Sequence, residues 1–293
     1  MGKFNTILTK AKLKTLTLIA PTSAGKLATS LFIESRNAAN PYRKSFVPMG
    51  ARALSVNTGC GKVKQVYIWG DKGDVVLLLH GWGANCASMF GFVPSLQKSG
   101  FRVATFDAPA HGSSEGEFAS MMEYMQTTRE VIDQINTDVG PVTKIIAHSL
   151  GGIIATAVSA RMSKIEQMVL ISAPYSLVDV LNIWASGFMK LSQTIENRIF
   201  SELLKMNGVP VQHWTIGLHS KHVKIPVMVI HDDKDRIVNL THLSRIASAF
   251  KFGSTKVTHG FGHFKILSNR EVHQSSVDFF NRHQTELLGE AIA

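Results

Sequence analysis

The sequence predicts an α/β fold with a mostly parallel central sheet and helices on both faces. Three observations predict it. Short unbroken apolar runs recur at DVVLLLH (74–80), RVATFD (102–107), KIIAHS (144–149), QMVLIS (167–172) and PVMVIHD (226–232), with a weaker one at KVTHG (256–260). Runs that are continuous rather than alternating belong to strands covered on both faces. Helical spacing fills the intervals, around 85–99, 117–138, 150–163, 239–251 and 271–286, and such alternation implies a parallel sheet. Two short runs within 53–69 predict an antiparallel edge.

The 293 residues are 45% hydrophobic, enough for a sizeable core in one large domain or two small ones. Two cysteines, Cys60 and Cys86, do not make a disulfide framework, so a reducing, cytoplasmic setting is expected. The net charge of +10 suggests a nucleic-acid or membrane partner until it is located. Residues 1–50 hold eight Lys/Arg and one acid, Glu34, which leaves 23 basic and 20 acidic groups in the rest of the chain. The basicity therefore belongs to the N-terminal fifty residues. It lacks interleaved aromatics, so no nucleic-acid partner is expected.

Residues 1–50 form the expected basic helical extension. Apolar spacing at Phe4, Ile7, Leu8, Ala11 and Leu18, then at Ala24, Leu27, Ala28, Leu31 and Phe32, predicts two helices broken near Pro21. Two roles stand for them, a helical flap docked on the domain or a basic amphipathic surface at an anionic membrane. A secretory signal does not fit, since the apolar run TLTLIA is six residues long and flanked by lysines. The start MGKFNT, with Gly2 and Thr6, matches the short myristoylation pattern. No stretch reaches the roughly 18 apolar residues that span a bilayer.

Residues 51–293 form the expected main domain. Between Pro174 and His222 the rhythm breaks into a helical stretch rich in large apolar groups, among them Trp184, Phe188, Phe200 and Trp214. That stretch predicts a helical cap inserted at about 175–222.

The chemistry starts at AHSLGG (147–152). An apolar strand ends at His148, and a helix starts with Leu150, Gly151 and Gly152. A serine at such a reversal, Ser149, has its hydroxyl raised above the sheet edge, with small neighbours where strand and helix pass closely. The helix N-terminus places the Leu150 N–H beside that hydroxyl, where a developing oxyanion needs a donor.

This stretch resembles the nucleophile elbow of the α/β-hydrolase family, whose pattern is G-x-S-x-G, with Ala147 standing at the first glycine. Four further segments are similar to the family's in the same order. HGWG (80–83) resembles the loop carrying the second oxyanion donor, which the resemblance puts on the Trp82 N–H. DAPAHGSS (107–114) resembles the D-x-P-G-x-G-x-S loop. HDDKDRIV (231–238) stands where the family keeps its acid, and GFGHF (260–264) where it keeps its histidine. The segments look most like a bacterial branch of hydrolases that begin with a helical extension.

The resemblance implies a serine esterase with a catalytic triad of Ser149, Asp235 and His263, and an oxyanion hole from Trp82 and Leu150. It implies no cofactor and no metal. Asp232 and Asp233 compete with Asp235 for the acid; Asp235 is chosen because the apolar pair Ile237 and Val238 follows it, as in the family. His259 is the local rival of His263. His80 and His111 read as loop-holding groups, and His148 as a further candidate for substrate contact. His213, His219 and His222 lack a carboxylate or cysteine at ligand spacing and read as solvated cap histidines. Trp82, Leu150, Trp184 and Phe188 are candidate pocket walls for a small-molecule substrate with a hydrophobic acyl part. Thioester or other acyl hydrolysis, and a non-catalytic ligand-binding role on the same fold, are the alternatives. The sequence names no physiological substrate and no oligomeric state.

Overall fold

The structure, a computed structural model, describes residues 3–33, 47–188 and 191–290, with side chains described for 8–33, 47–186 and 191–282. Gly2 and residues 34–46 of the extension lie outside the described residues, as does the side chain of Phe188.

The described strands form one eight-stranded sheet in the order β1-β2-β4-β3-β5-β6-β7-β8. β1 (Arg52–Ser55) and β2 (Gln65–Trp69) pair antiparallel at one edge. From β4 (Arg102–Thr105) through β3 (Val75–Leu79), β5 (Val142–His148), β6 (Gln167–Ile171) and β7 (Val227–Asp232) to β8 (Gly253–Thr258), every pairing is parallel. Both faces of the inner strands are filled. Val75, Leu77 and Leu79 of β3 enter one core and Val76 and Leu78 the other, and Met168 and Leu170 of β6 alternate with Val169 and Ile171 in the same way. Side chains alternate across a strand, so an unbroken apolar run supplies two cores at once.

The stretch expected as one helix over 85–99 is two pieces, a 3-10 segment Cys86–Phe92 and a short helix α3 (Val93–Lys98). Pro94 lies in the first turn of α3, where its missing N–H costs nothing, and the same residue cannot continue a helix arriving from Cys86. The weak run at 256–260 belongs to β8, which starts earlier, at Gly253. As the edge strand it is mostly exposed, so its sequence is mostly polar. α4 (Met121–Asp138), α5 (Gly151–Ser159) and α9 (Thr241–Ala247) follow β4, β5 and β7, and α10 (Gly262–Lys265) and α11 (Arg270–Glu290) follow β8.

Between β6 and β7 the chain builds α6 (Leu177–Phe188), α7 (Gln193–Asn207) and the short α8 (Ile216–His219). The extension forms α1 (Lys3–Ile19) and α2 (Pro21–Ile33), broken at Ala20. α2 buries Ala24, Gly25, Ala28 and Thr29 and packs on α7. The approach is so close that a β-carbon on Gly25 would strike the side chain of Arg198. Among the described residues no helix is long and apolar enough to cross a membrane.

Candidate active site

Ser149 sits between the end of β5 and the start of α5 with φ of +52°, the left-handed region that a side chain occupies at a cost of roughly 1–3 kcal/mol. The strain is held by close packing beneath it. A β-carbon on Gly151 would lie 2.7 Å from the carbonyl oxygen of His80, so only glycine lets α5 start this close to the loop after β3. The Ser149 N–H donates to the Ile171 carbonyl at 2.9 Å, which ties the turn to β6.

The serine hydroxyl meets a histidine, and the histidine a carboxylate. His263, in α10, has Nε2 3.1 Å from Ser149 Oγ and Nδ1 2.8 Å from Asp235 Oδ2. The ring therefore donates Nδ1–H to Asp235 and keeps the Nε2 lone pair for the serine proton. Asp235 Oδ1 accepts the N–H groups of Ile237 and Val238 at 2.9 and 2.8 Å. His231 Nε2 lies 3.4 Å from Asp235 Oδ2. Burial alone would raise the Asp235 pKa, but His231, His263 and the Val238 N–H together outweigh it and hold this carboxyl well below the usual range. It is ionised at neutral pH.

The rival acids are engaged elsewhere. Asp232 Oδ1 accepts the N–H groups of Lys234, Phe261 and Gly262, and its Oδ2 accepts the Thr258 hydroxyl, so it staples the two loops together. Asp233 pairs with the exposed His259 at 3.1 Å. The structure thus brings Ser149, His263 and Asp235 together and leaves Asp233 and His259 on the surface.

Three further histidines hold loops around the serine. His80 donates Nδ1–H to the Gly81 carbonyl and accepts the Ala108 N–H at Nε2; His111 donates to the Pro109 carbonyl and accepts the Gly83 N–H. Together they lock HGWG to DAPAHGSS. Burial, then His80, pushes the His111 pKa down to about 3. His148 donates Nε2–H to the His263 carbonyl at 2.9 Å, and burial together with His263 pushes its pKa down to about 3. Its Nδ1 is buried without a partner among the described residues. The backbone N–H groups of Trp82 and Leu150 likewise have no acceptor among the hydrogen bonds of the described residues.

A cleft of about 160 Å³ opens over Ser149, lined by Trp82, His148, Leu150, Val180, Ile183 and Phe264 among others. Trp184 is not on its wall. Val180, one turn before it, and Ile183, directly before it, line the cleft, while Trp184 meets Phe32 of α2 edge-on with ring centroids 5.5 Å apart. Sequence reasoning missed Val180, Ile183 and the His231 contact to Asp235, since an apolar helix pattern does not say which face meets a cleft. His213 and His219 lie ring to ring at 4.9 Å, and no group of three His, Cys, Asp or Glu among the described residues is placed to hold a metal.

A family model described as alpha/beta hydrolase fold matches residues 74–207. The sheet order and the elbow agree with it, and the chain has the α/β-hydrolase fold. It is 30% identical to a serine hydrolase-like protein of Danio rerio over 116 residues, which cover 38% of this chain and 34% of that one. It is also 30% identical to protein phosphatase methylesterase 1 of Rattus norvegicus over 124 residues, 41% of this chain and 32% of that one. The chain thus spans about a third of the length of these curated relatives. The esterase Pf2001 of Pyrococcus furiosus shares the fold with a TM-score of 0.62 at 18% identity, over 79% of this chain and 90% of that one.

Proposed function

We propose that the protein is a cofactor-free serine hydrolase that cleaves carboxylic esters through an acyl-enzyme. The observation that carries this reading is the hydrogen-bonded line from Ser149 Oγ through His263 to Asp235, at 3.1 and 2.8 Å. A serine hydroxyl is a weak nucleophile at neutral pH and needs a base within hydrogen-bond reach. His263 Nε2 takes the proton as Ser149 Oγ bonds to the acyl carbon. Asp235 fixes the tautomer and stabilises the imidazolium that forms. The oxygen of the tetrahedral intermediate is held by the N–H groups of Trp82 and Leu150. His263 then returns the proton to the departing alkoxide, and a water activated by the same ring releases the acid and regenerates Ser149. The names of the relatives, a methylesterase and an esterase, support an ester as substrate.

Labelling with a fluorophosphonate tests the reading. One adduct per chain, absent in Ser149→Ala, is expected. Correctly folded protein that takes up no label and hydrolyses no p-nitrophenyl ester would falsify it.

A further inference from the structure

Beside the cleft lies a second, narrower chamber of about 40 Å³. Its walls include Phe32 and Ile33 of α2, Met121 of α4, Leu177 of α6, and Leu203 and Met206 of α7. Trp82, Leu150 and Val180 line both spaces, so the chamber shares a wall with the groups that surround the Ser149 hydroxyl.

The chamber is apolar in effect as well as in composition. Its two polar residues are already engaged: Ser120 Oγ accepts the Glu123 N–H at 3.0 Å, and Asn207 accepts the Met122 N–H and donates to the Leu203 carbonyl. The indole N–H of Trp82, at the wall common to both spaces, is buried without an acceptor among the described residues. A ligand suited to both spaces has polar atoms in the cleft and a hydrocarbon tail in the chamber.

We propose that the chamber receives the tail of a linear acyl chain whose carbonyl is presented to Ser149, so that Phe32 and Ile33 of the N-terminal extension set acyl-chain length. This rests on the serine-hydrolase reading. One water needs about 10–15 Å³ of such space, so the chamber takes roughly three or four methylene-sized groups, and with the atoms that reach it from Ser149 the chain is about six carbons long. Each methylene moved from water into it raises kcat/KM roughly fourfold, so hexanoate esters exceed acetate esters by roughly 60- to 250-fold.

The test uses the full chain and p-nitrophenyl acetate, butyrate, hexanoate, octanoate and dodecanoate. The wild type should peak near hexanoate. Ile33→Trp, which fills the chamber, should lower the hexanoate-to-acetate ratio of kcat/KM by about tenfold or more. Phe32→Ala, which widens it, should move the peak to longer chains. A second arm needs no turnover: Ser149→Ala should bind hexanoate more tightly than acetate by calorimetry, and Ile33→Trp added to it should remove the difference. Circular dichroism and thermal melts confirm that each variant is folded. Chain-length profiles and hexanoate binding that do not change in either variant overturn the proposal. Hexanoate binding sensitive to Ile33→Trp, in a protein that cleaves none of the five esters, overturns the hydrolase reading and retains the chamber as a fatty-acid site.

Discussion

Asp233 and His259 form a second carboxylate–histidine pair, 3.1 Å apart, on the same two loops that carry Asp235 and His263. The two pairs differ in surroundings. His259 is 76% exposed, whereas Asp235 and His263 are buried against the serine. Only the buried pair reaches a nucleophile. Asp235→Asn should leave the protein folded and lower kcat by roughly 10³- to 10⁴-fold, because an amide favours the wrong imidazole tautomer. Asp233→Asn should cost less than about tenfold, since an exposed pair of this kind contributes little. Steady-state kinetics of the two variants decide the matter, and the opposite ranking in folded proteins would move the acid to Asp233.

Stability should fall steeply on mild acidification. His111 and His148 bind protons near pH 6.5 in the unfolded chain but only near pH 3 when folded, because both are buried. The unfolded state therefore holds more protons throughout that window, and stability rises with pH across it. From pH 7 to pH 5 the loss is of the order of 2 kcal/mol for each ring. Asp235 acts in the same direction but lower down: its depressed pKa stabilises the fold above the ordinary carboxylate range and is lost only in strong acid. Urea denaturation at pH 7 and pH 5 measures the difference. An unchanged midpoint would mean that these rings are open to water.

Gly151→Ala should destabilise the protein by roughly 1–3 kcal/mol and depress activity with it. The added methyl meets the His80 carbonyl oxygen at 2.7 Å and the Leu79 carbonyl oxygen at 3.0 Å, both of them backbone that cannot rotate away. Thermal melts and ester kinetics on the variant read both effects. Wild-type values would show that the turn has room to spare.

One thiol of the two should react in the native protein. Cys86 is buried beside Asp107, and burial, then that carboxylate, pushes its pKa far up. Cys60 is half-buried; burial opposes ionisation there, but hydrogen bonds with Thr127 and Thr58 outweigh it and lower its pKa. Titration with a disulfide reagent should count one group before denaturation and two after. Two fast groups in the folded protein would contradict the burial of Cys86.

The strands and the elbow were legible because each rests on a local signal. An unbroken apolar run marks a strand sandwiched between layers, and a serine followed by two glycines marks a tight strand-to-helix turn. Pro94, which splits one expected helix in two, was equally visible as a residue, but its effect depends on Asn85 capping the first piece, with its side chain accepting the Ala87 N–H at 3.0 Å. The loop partners of Asp232 and Asp233 were not legible, since three residues of HDDKD are identical aspartates and only the fold aims each one. Trp184 was expected at the cleft and stands instead against Phe32. Val180 lies one turn before it and Ile183 directly before it, yet both line the cleft while Trp184 meets Phe32 of α2, about 150 residues away in sequence.

The seat of α2 on α7 also imposes an order on biosynthesis. Gly25 and Arg198 touch across a gap of some 170 residues, so α2 has no surface of α7 to rest on until the stretch following β6 has emerged from the ribosome. At 5–20 residues per second that wait is roughly ten to thirty seconds. Through it the nascent chain carries Leu13, Ala24 and Ala28, all fully enclosed in the finished protein, open to chaperones and to other chains. The lysines at positions 10, 12, 14 and 26 lie along the same helices, and like charges spaced in this way oppose the association of exposed apolar segments.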